Sequence, residues 1–213
     1  MQNRVAFLVD GFNVYYSILD AINDLGGISL KWLNLRAFCE SYLHLFGPKA
    51  TSSGVYYFSA LKTHRLADDP DIVNRHQTYI SALHSTGVNV ELARFKRKDI
   101  LCLHCHKQFE QYEEKETDVA IAAKLFELLI AGTCEKVALV CGDTDIIPAI
   151  RTARSIYPQK EICVMFPHRR VSVDLKQAAS MAFKLKAKRY AQYQFADPIV
   201  LPAGANLQKP ASW

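Results

Sequence analysis

The chain has 213 residues, 50% of them hydrophobic, and 26 Lys+Arg against 21 Asp+Glu for a formal charge of +5. This is enough apolar material for one domain with a sizeable core. Its 6 scattered cysteines argue against a disulfide framework, and no apolar run approaches the roughly 18 to 20 residues of a membrane span.

Met1-Gln2-Asn3-Arg4 leads directly into a core strand with no signal-peptide h-region, so the expected location is cytoplasmic. Residues 4–10 are continuously apolar up to Asp10 and read as a buried parallel strand. A helix over 12–23 ends at Gly26-Gly27, and a second over 33–46 stops at Gly47-Pro48. A strand over 54–60, a polar turn over 64–70 and a helix over 71–85 capped by Gly87 follow. A strand over 88–95 gives way to an irregular, basic, cysteine-bearing insertion over 96–112. Thr117 is the expected N-cap of a strong helix over 117–131, closed by Gly132. Then come a strand over 136–141, a helix over 146–155, a strand over 161–166 and a short helix over 174–181. Alternating strands and helices imply right-handed βαβ units with helices on both faces of a mainly parallel sheet. One domain over 1–195 results, with a flexible Pro- and Gly-bearing tail over 196–213.

Asp10 closes the first strand, and Asp143 and Asp145 follow the run Val137-Ala138-Leu139-Val140-Cys141. In an open parallel sheet, ligands bind beyond the carboxyl ends of the strands where connections diverge. Asp118, at the opening of the long helix, is the fourth acid. Carboxylates crowded together raise one another's pKa values unless a positive charge sits between them, and hard oxygen donors suit Mg²⁺ or Mn²⁺. Each position also has a plain structural reading: Asp10 as a helix cap, Asn13 as a turn amide, Asp118 as a helix-dipole partner. Thr144 is placed to bond a metal shell or a phosphate oxygen.

Three ordered segments, Leu8-Val9-Asp10-Gly11-Phe12-Asn13, Glu114-Lys115-Glu116-Thr117-Asp118-Val119 and Gly142-Asp143-Thr144-Asp145, resemble the NYN domains of the PIN-like nuclease superfamily, particularly the LabA-like (DUF88) branch. The resemblance spans roughly residues 4–185. It implies a PIN-like three-layer α/β/α fold with sheet order 3-2-1-4-5, a Mg²⁺- or Mn²⁺-dependent acidic site, and RNA as substrate. It carries metal-site roles to Asp10, Asp118, Asp143 and Asp145, with Asn13 in support.

Cys102-Leu103-His104-Cys105-His106 supplies two thiolates of a tetrahedral Zn²⁺ site, and His104 or His106 is a candidate third ligand, but a structural site wants four. Cys39, His64 or a second subunit would have to complete it, so zinc, thiol redox chemistry and a plain turn all stay open. Basic groups gather at Arg94, Lys96, Arg97 and Lys98, at His168, Arg169 and Arg170, and around Lys184 to Arg189 with Tyr190 and Tyr193 interleaved. Phosphate contacts with aromatic stacking are the ingredients of single-strand binding. Arg169 and Arg170 follow a strand end on the acidic edge and are the first candidates for gripping substrate.

The leading expectation is a metal-dependent ribonuclease, with Lys115 as electrostatic stabiliser and, by resemblance, products with 5′-phosphate and 3′-hydroxyl ends. The alternative is a non-catalytic RNA- or protein-binding module that keeps a structural ion, with homo-oligomerisation open in either case. A phosphatase of the HAD type fails because Phe12 stands where its second aspartate is required.

Overall fold

The structure, a computed structural model, describes residues 3–201 and 204–213. Strands β1 (Arg4–Asp10), β2 (Thr51–Ala60), β3 (Asn89–Leu101), β4 (Gln108–Lys115), β5 (Lys136–Val140), β6 (Glu161–Phe166) and β7 (Met181–Lys184) form one sheet in the order β4-β3-β2-β1-β5-β6-β7. All pairings are parallel except that of β3 with β4. Counting only β3-β2-β1-β5-β6, the order is the expected 3-2-1-4-5, to which β4 and β7 add an edge on either side.

The apolar run of β1 explains its central place. Val5, Phe7 and Val9 bury on one face and Ala6 and Leu8 on the other, all at most 1% exposed. Helices α1 (Gly11–Asp24), α2 (Leu35–Glu40), α3 (Ile72–Ser85) and α7 (Ala187–Gln192) cover the first face. The second lies under α4 (Thr117–Ala131), α5 (Ile147–Ile156) and α6 (Val173–Ala178). Each fully buried Leu or Phe in these layers contributes about 1.5–3 kcal/mol of transfer free energy, so a strand buried on both sides anchors the sheet. The three-layer α/β fold is therefore as expected.

Several local expectations change. The helix over 33–46 is the short α2 followed by a 3-10 turn at Leu43–Phe46. The stretch 96–112 is regular: β3 and β4 pair continuously from Arg94↔Lys115 to Leu101↔Gln108. Its exposed alternation of basic and acidic residues satisfies itself across the ladder, with Lys98–Glu113 at 3.1 Å and Arg97–Glu110 at 2.9 Å. The helix over 174–181 ends at Ala178, and the chain then forms β7 and α7. In the segment expected to be a flexible tail, Ile199–Val200 (β8) pairs with Asn206–Leu207 (β9), and Trp213 lies edge-on to Trp32 and Tyr79 at 6.2 and 5.7 Å between centroids. Trp213, the one aromatic residue of this segment, docks the chain end on the core through these two rings.

Candidate functional site

The chain leaves β1 toward β2 and β3 on one side and returns to β5 and β6 on the other, so the switch point lies between the ends of β1 and β5. Gly11 is required there. A Cβ at that position would sit 2.6 Å from the Phe58 carbonyl oxygen and 2.7 Å from the Tyr57 ring.

Asp10 combines the two readings open to it. Its Oδ1 accepts from the Asn13 amide at 2.9 Å, capping α1, and the Asn13 side-chain amide donates to its Oδ2. The Asn13 Oδ1 in turn accepts from the Gly142 amide at 3.0 Å, tying the end of β1 to the loop after β5. Asn13 is thus the strut of the site. Burial pushes the Asp10 carboxyl up to about 6, against the two Asn13 hydrogen bonds, and the Asp118 charge adds to the rise.

Asp10, Asn13, Glu114, Thr117, Asp118, Asp143 and Arg170 line one pocket of about 350 Å³. The Asp118 carboxyl is also raised, by burial and then by the charges of Asp143 and Asp145. Asp143 is exposed, and its Oδ1 accepts from the Asp145 amide at 3.1 Å. Asp145 and Thr144 are exposed beside the pocket without lining it, and Lys115 points away, paired with Glu113 at 2.9 Å. Period-two alternation along β4 puts Glu114, not Lys115, in the site. Glu114 was missed in the sequence. Its carboxyl is held up at about 7 by burial and by Asp10 and Asp118, while the Thr117 hydroxyl donates to it. The left-handed Glu116 occupies the N-cap position expected of Thr117, which frees the threonine for that bond.

Arg170 lines the pocket, donates to Asp20 at 2.8 Å and has a buried Nε with no partner among the described residues. Gly142 packs on it, since a Cβ there would lie 2.7 Å from the Arg170 Cβ. Arg169 is exposed, pairs with Asp24 at 2.6 Å and does not line the pocket. Tyr190 is fully buried and bonded to Ser17 at 2.7 Å, and Tyr193 is packed on Phe38 with the Arg189 guanidinium against its ring. Neither tyrosine is a free stacking surface.

Among the described residues, no three His, Cys, Asp or Glu side chains form a finished metal-ligand set. For the acidic pocket, the donor chemistry fits a hard divalent cation: Asp10, Asp118 and Asp143 line one pocket, and burial together with mutual repulsion raises the proton affinity of Asp10 and Asp118. At the hairpin tip, Cys102 and Cys105 with His104 and His106 stand exposed or half-exposed, and Cys39 is buried in the core.

A second cavity, of about 490 Å³, opens on the other side of Phe12, which lines both. It lies between α1, α3 and the end of β2 and includes Trp213 in its wall.

Against known proteins, the profile of the NYN domain matches residues 4–186. The chain is 25% identical to the 6-hydroxy-3-succinoylpyridine 3-monooxygenase HspA of Pseudomonas putida, over 99% of this chain and 75% of that protein. The fold is similar to that of a crystallised protein of unknown function from Vibrio parahaemolyticus, with a TM-score of 0.56 and 18% identity over 87% of this chain and 94% of that one.

Proposed function

The chain belongs to the NYN domain family, and from that premise we propose a metal-dependent ribonuclease that hydrolyses RNA phosphodiester bonds at the acidic pocket. Family membership relates the chain to nuclease-like, RNA-related function. The observation that carries the finer reading is the convergence of Asp10, Asp118 and Asp143 on one pocket with Arg170.

Asp10, Asp118 and Asp143 would hold Mg²⁺ or Mn²⁺, with Asp145 close enough to add charge. When bound, such an ion supplies Lewis-acid polarisation of a phosphate and acidifies water. The chain's own groups do the rest. Asn13 holds Asp10 and the Gly142 loop in register. Arg170 offers its guanidinium to a phosphate oxygen, as a planar multi-donor cation suited to that geometry. Glu114 lines the same pocket and binds a proton in the neutral range, which suits it to take the proton of an attacking water. Arg169 and Thr144 are proposed for outer contacts with the strand, because both are exposed and each adjoins in the chain a residue that lines the pocket, Arg170 and Asp143. Lys115 is assigned no role, because it faces Glu113. Zn²⁺ at the hairpin tip would need ligands from a second copy or a partner, which leaves homo-oligomerisation open.

The test is cleavage of labelled single-stranded and hairpin RNA with Mg²⁺, Mn²⁺ or EDTA, using the wild type and Asp143→Asn. Metal-dependent cutting lost in the variant supports the reading. Equal cutting by both proteins defeats it, and tight metal-independent binding without cutting points to a binding module. A second reading, action on a small aromatic acid as the name of the Pseudomonas relative suggests, is favoured by the aromatic cavity beside the pocket. Turnover of such an acid in the absence of RNA would select it.

A further inference from the structure

The cavity beside the acidic pocket is lined by aromatic rings and a few polar groups. Tyr15, Tyr57, Tyr79 and Trp213 supply the rings, and Ser59 and His76 are among the polar groups. Its volume of about 490 Å³ is within the range of roughly 300–1,000 Å³ typical of small-molecule sites. His76 is half-buried, and burial pushes its imidazole down to about 4, so the ring is neutral, with its Nε2 3.5 Å from the Ser59 hydroxyl. A neutral imidazole beside a hydroxyl between aromatic faces matches a heterocycle that is flat and polar at its edge.

Lys31, Lys62 and Arg75 are the cations of its wall. Arg75 is spent on an ion pair with Asp69. The Lys62 ammonium makes no ion pair or hydrogen bond with a described residue. It sits 5.3 Å from the Phe12 ring centroid and 5.7 Å from those of Tyr15 and Tyr16. Phe12 lines both pockets, Tyr15 the cavity and Tyr16 the acidic pocket, so this charge stands on the ridge between them. Its field also reaches Glu114 in the acidic pocket. A phosphate held by Lys62 would have one neighbouring group over the cavity and the other over the acids.

We propose that this cavity is a nucleobase site that receives one unstacked base of single-stranded RNA, with Lys62 on the phosphate linking that nucleotide to the acidic pocket. The proposal rests on the RNA reading of the acidic pocket, and its test is independent of cleavage. Aromatic stacking is worth about 1–3 kcal/mol per base and tolerates different bases, so the site positions RNA more than it selects sequence.

The experiment is calorimetric titration of the full chain in EDTA with adenosine 5′-monophosphate, adenosine, inorganic phosphate and a short single-stranded RNA, for wild type, Ile72→Trp and Lys62→Ala. Ile72 lines the cavity and is half-buried at the start of α3, so tryptophan there fills it without touching the acids. The nucleotide and the RNA are expected to bind competitively, both at least about tenfold more weakly to Ile72→Trp. Lys62→Ala weakens the nucleotide and spares adenosine, and it serves if thermal melting shows Ile72→Trp to be misfolded. Absence of nucleotide binding, or RNA binding indifferent to both substitutions, overturns the proposal. So does nucleotide binding that RNA does not compete with, which would mark a site for a free nucleotide. If these binding results hold and RNA is never cut with any metal, the nuclease reading falls while the base site stands.

Discussion

Replacing Asn13 with Ala tests whether this side chain holds the two strand ends together. The substitution removes the donation to the Asp10 Oδ2 and the acceptance from the Gly142 amide at 3.0 Å, while the backbone bond from residue 13 to the Asp10 Oδ1 at 2.9 Å survives. A hydrogen bond to a charged group is worth about 1.5–3 kcal/mol and an orphaned buried amide costs about 1–3 kcal/mol, but neither hydrogen bond is fully buried, which offsets part of each loss. A net loss of about 2–3 kcal/mol follows, which in a chain of this size lowers Tm by about 5–10 °C. Asp10 also loses a bond that favours its charged form, so its proton affinity rises further. Metal-dependent RNA cleavage should fall by about ten- to a hundredfold through misplacement of Asp10 and the Gly142 loop. Thermal melting followed by circular dichroism and a single-turnover RNA assay read the two effects. A variant that melts within about 1 °C of wild type would refute the strut, whatever its activity.

Adding Mn²⁺ or Mg²⁺ should raise Tm in proportion to the logarithm of metal concentration, with reversal by EDTA and no rise in Asp143→Asn; a rise preserved in that variant would place the ion elsewhere. His76 has a folded pKa of about 4, below its usual 6.5, so it contributes stability that is present above pH 6.5 and is lost as pH falls toward 4. The loss amounts to at most about 3 kcal/mol. Asp10 works oppositely, its raised pKa of about 6 giving stability at low pH that is lost as pH rises through that value, so the His76 contribution is read as the difference between wild type and His76→Gln in urea unfolding at several pH values. Gly142→Ala should cost about 1–3 kcal/mol by overpacking against Arg170 and should weaken RNA binding in EDTA, as measured by melting and titration.

Some of this was legible because it is local. The unbroken apolar run before Asp10 declares a strand buried on both faces, and β5 ending before Gly142 does the same, so two acidic strand ends could be assigned to one edge. The α4 boundaries follow from apolar spacing and the left-handed Gly132 at its end. Glu114 escaped because its side depends on the β3–β4 register, where Phe95 opposes it, and the charged, weakly apolar hairpin gives no burial pattern to set that register in advance. The Tyr190 and Tyr193 pair read as exposed stackers for the same kind of reason: basic neighbours suggested a surface, whereas α7 docks on α1 and buries the first ring.

The three-layer class, the core strands β1, β2, β3, β5 and β6 and the acidic strand ends were readable in the residues alone, because they rest on periodicity and strand-end chemistry within short windows. Packing of distant segments is what turns Arg170 to the acids and Arg169 to Asp24, directs Lys115 away, and brings Lys62 and Trp213 to the start of α1 at one cavity. These are contacts between segments distant in the chain, fixed by packing and by the direction of single side chains, and neither leaves a periodic trace in the residues that make them.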